Sequence, residues 1–116
     1  MANPVLDKSY LFSVRIVKAC KYLRQSENET VMSKQLLRSG TSIGANIAEA
    51  QEAQSTADFI TKLNIALKEA SESEYWIRLL YDTGYFTEPQ FRSIHMDCLE
   101  LKRLLSSIIH TLNSRK

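Results

Sequence analysis

Residues 38–50 read RSGTSIGANIAEA, and this stretch decides the fold because it carries a helical period in residues that seldom fill a helix interior. At about 100° per residue, Met32, Leu36, Ile43 and Ile47 form an apolar stripe with Ser39 and Ala50 beside it. Gln35, Ser42, Asn46 and Glu49 collect on one flank. On the other flank Gly40, Gly44 and Ala48 recur every four residues, a pattern that lets another backbone approach closely. Glycine in a helix interior costs roughly 1 kcal/mol relative to alanine. Two of them therefore need an offset, and close helix packing or subunit assembly is expected to supply it.

The whole chain has 116 residues, a length that suits one domain over residues 1–116 with a single core. It is 44% hydrophobic and 24% charged, an ordinary globular balance that argues against disorder. Apolar runs fall far short of the ~20 residues a membrane-spanning helix needs. Asp7 and Lys8 also interrupt the place where a signal peptide would carry its apolar region. A cytoplasmic protein without a membrane partner is expected. Cys20 and Cys98 are then expected to be reduced thiols in a helical core.

Hydrophobic spacing predicts four helices. The first spans about Leu6 to Arg24 with Phe12, Ile16, Ala19 and Leu23 inward. The second is expected from Glu27 to Gln51, introduced by a capping box of Ser26 and Glu29. Ser55 and Asp58 repeat that signal for a third helix reaching Thr83, with Phe59, Leu63, Ala66, Ala70 and Ile77 inward and Gly84 in the left-handed closing position. Thr87 before Pro89 starts the fourth, where Phe91, Cys98, Leu105 and Leu112 interleave with Ile94, Leu101 and Ile108 as an a/d seam. The end from Asn113 to Lys116 is expected to fray. No stretch alternates with a strand period. Short joints make neighbours antiparallel, so the expected fold is an all-α, up-down-up-down four-helix bundle.

Two polar residues fall in core-facing slots, Asn46 on the second helix and Glu74 on the third. A buried carboxylate requires partners, and a network of Glu74 with Asn46, Ser42 and either Arg38 or Gln35 is expected to fix helix register. The alternative is a catalytic or ligand-binding carboxylate, disfavoured because no second acid or histidine is predictably placed beside it. Enzyme signatures are missing from the sequence: there is no paired Glu-x-x-His, Walker loop, dinucleotide fingerprint or nucleophile elbow. His95 and Cys98, one turn apart, provide too few ligands for zinc. Neither catalysis nor a cofactor or metal is expected.

The first helix carries the strongest binding signal. Arg15, Lys18, Lys21 and Arg24 are three residues apart, with no acid between Asp7 and Glu27. Stepping by three moves them across the face opposite the apolar stripe, producing a basic strip. Local density of cations attracts phosphate backbones even though the formal net charge is only +2. Tyr10 and Tyr22 lie beside the strip and offer faces for base stacking. The competing reading is a solvated face, or one that recruits an acidic protein.

QLLRSGTSIGANIAEA from Gln35 to Ala50 and SESEYWIRLL from Ser71 to Leu80 together resemble a bacterial family of four-helix bundle proteins. Its members are related to proteins encoded within intervening sequences of large-subunit ribosomal RNA genes. The resemblance covers nearly the whole chain and centres on Gln35, Arg38, Ser42, Ile43, Asn46, Ile47, Ala48 and Glu49. Ala50 departs from the pattern, since the family often has glycine there. The resemblance implies a compact antiparallel bundle assembling as a ring-like homopentamer, with no established enzymatic activity. It also implies kinship with the accessory protein of diversity-generating retroelements, a basic pentamer that binds a reverse transcriptase and nucleic acid. A homo-oligomer, nucleic acid and a nucleic-acid enzyme are accordingly the expected partners.

Overall fold

The computed structural model describes residues 3–115 and contains four helices: α1 (Pro4–Ser26), α2 (Val31–Ala50), α3 (Thr56–Asp82) and α4 (Glu88–Asn113). Among the described residues there is no strand. Each helix packs on the next and α1 closes against α4, while the backbones of the diagonal pairs stay apart. That arrangement is a four-helix bundle. It measures 47 × 24 × 21 Å, so its long axis follows the helices.

The helix ends show why the elements begin and stop where they do. Asn3 accepts a hydrogen bond from the Leu6 amide at 3.2 Å and Pro4 supplies the first helical position, which extends α1 beyond the expected Leu6. At the other end Asn28 turns with φ 55°, and the amides of Glu27 and Glu29 both donate to the Leu23 carbonyl. Asn tolerates this left-handed conformation better than most residues. Ser26 therefore finishes α1 instead of capping α2, and the expected Ser26–Glu29 capping box does not form. Glu29 acts alone. Its Oε2 accepts from the amides of Val31 and Met32, both at 3.2 Å, and its Oε1 accepts from the Ser33 amide at 2.7 Å. A carboxylate there satisfies orphan donors and favours the positive end of the helix dipole.

The remaining ends follow the sequence more closely. Ser55 accepts from the Asp58 amide at 3.0 Å, and α3 closes through Gly84 at φ +88°, where the Tyr85 amide returns to the Leu80 carbonyl at 2.9 Å. Thr87 and Gln90 complete a reciprocal capping box at the start of α4. Within the expected frayed end, Asn113 is the last residue of α4 and the Ser114 amide donates to the His110 carbonyl at 3.0 Å. Lys116 lies outside the described residues.

The buried side chains form one cluster in which Ile16, Leu23, Leu36, Ile43, Ile47, Ile77, Leu80 and Leu105 are completely enclosed. In α3, Leu63, Ala66, Ala70 and Ile77 are buried, and Phe59 only half-buried. The α4 seam runs as expected through Ile94, Cys98, Leu101 and Leu105, then passes to Ile109 while Ile108 sits at the margin. A straight helix drifts about 20° per heptad, which accounts for that slip.

Candidate functional site

α1 and α4 form the loosest of the helix contacts. Lys8 Nζ pairs with Glu100 Oε1 at 3.1 Å, and Arg15 pairs with Asp97 while donating to Ser93 O at 3.2 Å and Ser93 Oγ at 2.8 Å. Arg15 is thus committed to α4, and the basic strip expected from Arg15 through Arg24 is not uniformly free. Its other end bends toward α2, where Arg24 Nε approaches Ser33 Oγ at 3.5 Å. Lys18 and Lys21 lie between, exposed and without an ion pair among the described residues. The α1 periodicity had no access to Asp97, which comes from 82 residues further along the chain.

Beside Lys18 the α1–α4 seam opens into a groove of about 440 Å³. Buried Phe86 and Ile94 and half-buried Ala19 and Tyr22 line it, together with Arg15, Lys18 and Gln90. Tyr22 therefore joins the site. Tyr10 does not: it is 69% exposed and shares a separate depression with Leu6, Asp7 and Leu11.

The polar flank of α2 makes ion pairs to α3 and hydrogen bonds within α2. Arg38 bridges two acids of α3, reaching Glu69 at 2.9 Å and also Glu72, whose carboxyl is held below its ordinary range chiefly by Arg38 and then by the Trp76 indole. Ser42 Oγ donates to the Arg38 carbonyl and Asn46 Nδ2 to the Ser42 carbonyl, both within α2. Glu49 pairs with Lys62 at 3.1 Å, and Gln35 is half-buried. The buried polar link from α2 to α3 is instead Ser39 with Ser73, their hydroxyls 3.0 Å apart.

Glu74 consequently has different partners from those expected. It does not join Asn46, Ser42, Arg38 or Gln35, because the next residue round the helix from Ser73 turns toward α4. There Oε2 lies 2.9 Å from His95 Nε2 and Oε1 2.8 Å from Lys102 Nζ. Lys102 first, then His95, holds the carboxyl below its ordinary range. The His95 ring stacks on Phe91 at 4.8 Å, and Phe91 on Tyr81 at 4.3 Å. A histidine does accompany this acid, contrary to the sequence expectation. His95 and Lys102 are seven residues apart on α4, and that spacing was the available signal.

The small residues of α2 are explained by α1 of the same chain. A Cβ on Gly40 would lie 2.8 Å from Ile16 Cγ1, and one on Gly44 3.2 Å from both Ser13 Oγ and the Ser9 carbonyl oxygen. Ala48 is exposed and takes no part in this approach. Both thiols are free and buried; burial raises Cys20 to about 11 and Cys98 to about 12. No three His, Cys, Asp or Glu side chains converge as a metal site among the described residues.

The protein is thus an all-α bundle with exposed lysines on its first helix and a partly aromatic groove beside them. The family model of the 23S rRNA-intervening sequence protein matches residues 2–107, and the chain belongs to that family. It is similar to the crystal structure of a protein of unknown function from the S23 ribosomal protein family of Bacteroides thetaiotaomicron VPI-5482. The two are 62% identical with a TM-score of 0.90, covering 90% of this chain and 97% of that one. No curated protein matches the chain. Among the described residues no helix is long and apolar enough to cross a membrane.

Proposed function

We propose that this protein is a non-enzymatic accessory module of the cytoplasm, an antiparallel bundle assembled as a ring-like homo-oligomer, most simply a pentamer, that binds nucleic acid without sequence selection. The carrying observation is the pair Lys18 and Lys21, exposed and free of ion pairs among the described residues, on a helix with no acid between Asp7 and Glu27. Phosphate contacts of this kind give affinity without base discrimination. The pairing of Lys8 with Glu100 and Arg15 with Asp97, and of Arg38 with Glu72 and Glu49 with Lys62, supports the antiparallel course. Exposed Tyr10 and Leu11, neighbours on α1, support assembly, since adjacent large apolar side chains at a surface invite coverage by a partner.

The test is a salt titration of binding to labelled RNA and DNA. Binding should weaken steeply with salt, and changing Lys18 and Lys21 together to Glu should abolish it while helix content is unchanged. If protein freed of co-purified nucleic acid shifts neither RNA nor DNA at low salt, the reading is wrong. A scaffold whose basic surface recruits an acidic nucleic-acid enzyme then takes its place.

A further inference from the structure

The groove between α1 and α4 combines features that the phosphate contacts alone do not require. Its interior is apolar and partly aromatic, from Tyr22, Phe86 and Ile94, while Lys18 lines the same groove and is exposed. The Arg15 guanidinium, which also lines the groove, pairs with Asp97 and donates to Ser93 Oγ. Neutralised by Asp97, it contributes a fixed flat face more than a free charge, and guanidinium planes stack on bases. Gln90, another lining residue, accepts from the Thr87 amide through Oε1 at 2.9 Å, which leaves its NH₂ as a donor. An occupant that fits is flat, apolar on its faces, bears acceptors on its rim and carries an anion directly attached.

We infer that this groove takes an unstacked nucleobase, and that the ligand is therefore single-stranded nucleic acid. The inference rests on the proposed nucleic-acid function and deepens it by naming the strand state. In a duplex the bases are paired and stacked inside the helix, so only phosphates would reach Lys18 and Lys21, and the groove would stay unused. A single strand can turn one base onto Tyr22 while its own phosphate meets Lys18. This pairing of an aromatic platform with a cationic track is how sequence-tolerant single-strand binders work. An acidic peptide satisfies the lysines, but its carboxylates end flexible side chains separate from any flat apolar body.

Fluorescence anisotropy with a short mixed-sequence DNA single strand, its duplex, inorganic polyphosphate and poly-glutamate tests the inference on the full chain. The single strand should bind about tenfold more tightly than the duplex at equal salt, in keeping with the energy of one stacked base. Tyr22→Leu, which keeps apolar bulk, should erase that preference, and Tyr22→Phe, which keeps the ring, should retain it. Melting curves of both variants confirm that the fold persists. If strand and duplex bind equally and Tyr22→Leu changes neither, the groove inference is overturned while nucleic-acid binding stands. Should polyphosphate equal the single strand, the base contact is likewise refuted. Binding of poly-glutamate but of neither DNA form, with the matching RNA single strand also unbound, would overturn both readings.

Discussion

At the scale of single residues, Gly40 is the most constrained position in α2. The nearest obstacle to a Cβ is Ile16, a β-branched core side chain with no exposed surface and little room to rotate. Alanine would gain roughly 1 kcal/mol of helix propensity, yet overpacking costs about 1–3 kcal/mol. Gly40→Ala is expected to lower stability in urea denaturation, and Gly44→Leu to lower it further because the Ser9 backbone cannot step aside. Glu74 provides the second residue-scale expectation. With its carboxyl lowered by Lys102 and His95, it contributes stability above the unfolded-state pKa, which is lost as pH falls through the folded value. Glu74→Gln should cost about 1–2 kcal/mol at neutral pH, and the gap from the parent protein should close below about pH 4. A gap that persists in acid would show that the ion pairs contribute nothing. Both residues were partly legible in the sequence. The four-residue spacing of the glycines announced a close approach, and the helical period put Glu74 in a core-facing slot. Neither pattern says which helix lies opposite, so Ile16 and Lys102 came only from the fold.

At the scale of elements, helix period was readable because the core obeys it: Leu36, Ile43 and Ile47, or Ile94, Cys98, Leu101 and Leu105, are buried as their spacing demands. The ends of α3 and α4 were readable too, since Ser55, Gly84 and Thr87 act locally through their own backbones. The α1–α2 joint was not. Ser26 and Glu29 have capping-box spacing, but Asn28 adopts a left-handed conformation that keeps Ser26 in α1 and leaves Glu29 to accept three α2 amides. A different outcome follows for each residue. Glu29→Ala should destabilise the protein by about 1–2 kcal/mol, the usual worth of a lost N-terminal cap, whereas Ser26→Ala, at the exposed end of α1, should remain within about 0.5 kcal/mol of the parent. Equal losses from the two substitutions in thermal melts would restore the capping-box assignment.

For the whole molecule, the sequence placed the cations on α1 but not the acid that withdraws one of them, and it offered the α2 glycines as a contact that α1 of the same chain already occupies. The proposed assembly would therefore use another surface. Tyr10 is 69% exposed and Leu11 62%, side by side on the outer face of α1, and Met96 on α4 is 69% exposed. Isolated apolar residues at a surface need no explanation, but adjacent large ones invite coverage. Light scattering at micromolar concentration should return a multiple of the 13.3 kDa chain, with Tyr10→Glu and Leu11→Glu together reducing it to a single chain. The same double variant should weaken binding to long single strands far more than to short ones. Lys18 and Lys21 remain in place on each subunit, so a short ligand that meets one subunit loses little. A long ligand loses the simultaneous engagement of several copies, which raises avidity only while the subunits are joined. If the parent protein is a monomer, or if the disrupted form holds long and short strands with unchanged affinity, the basic faces do not act together and ring assembly has no part in binding.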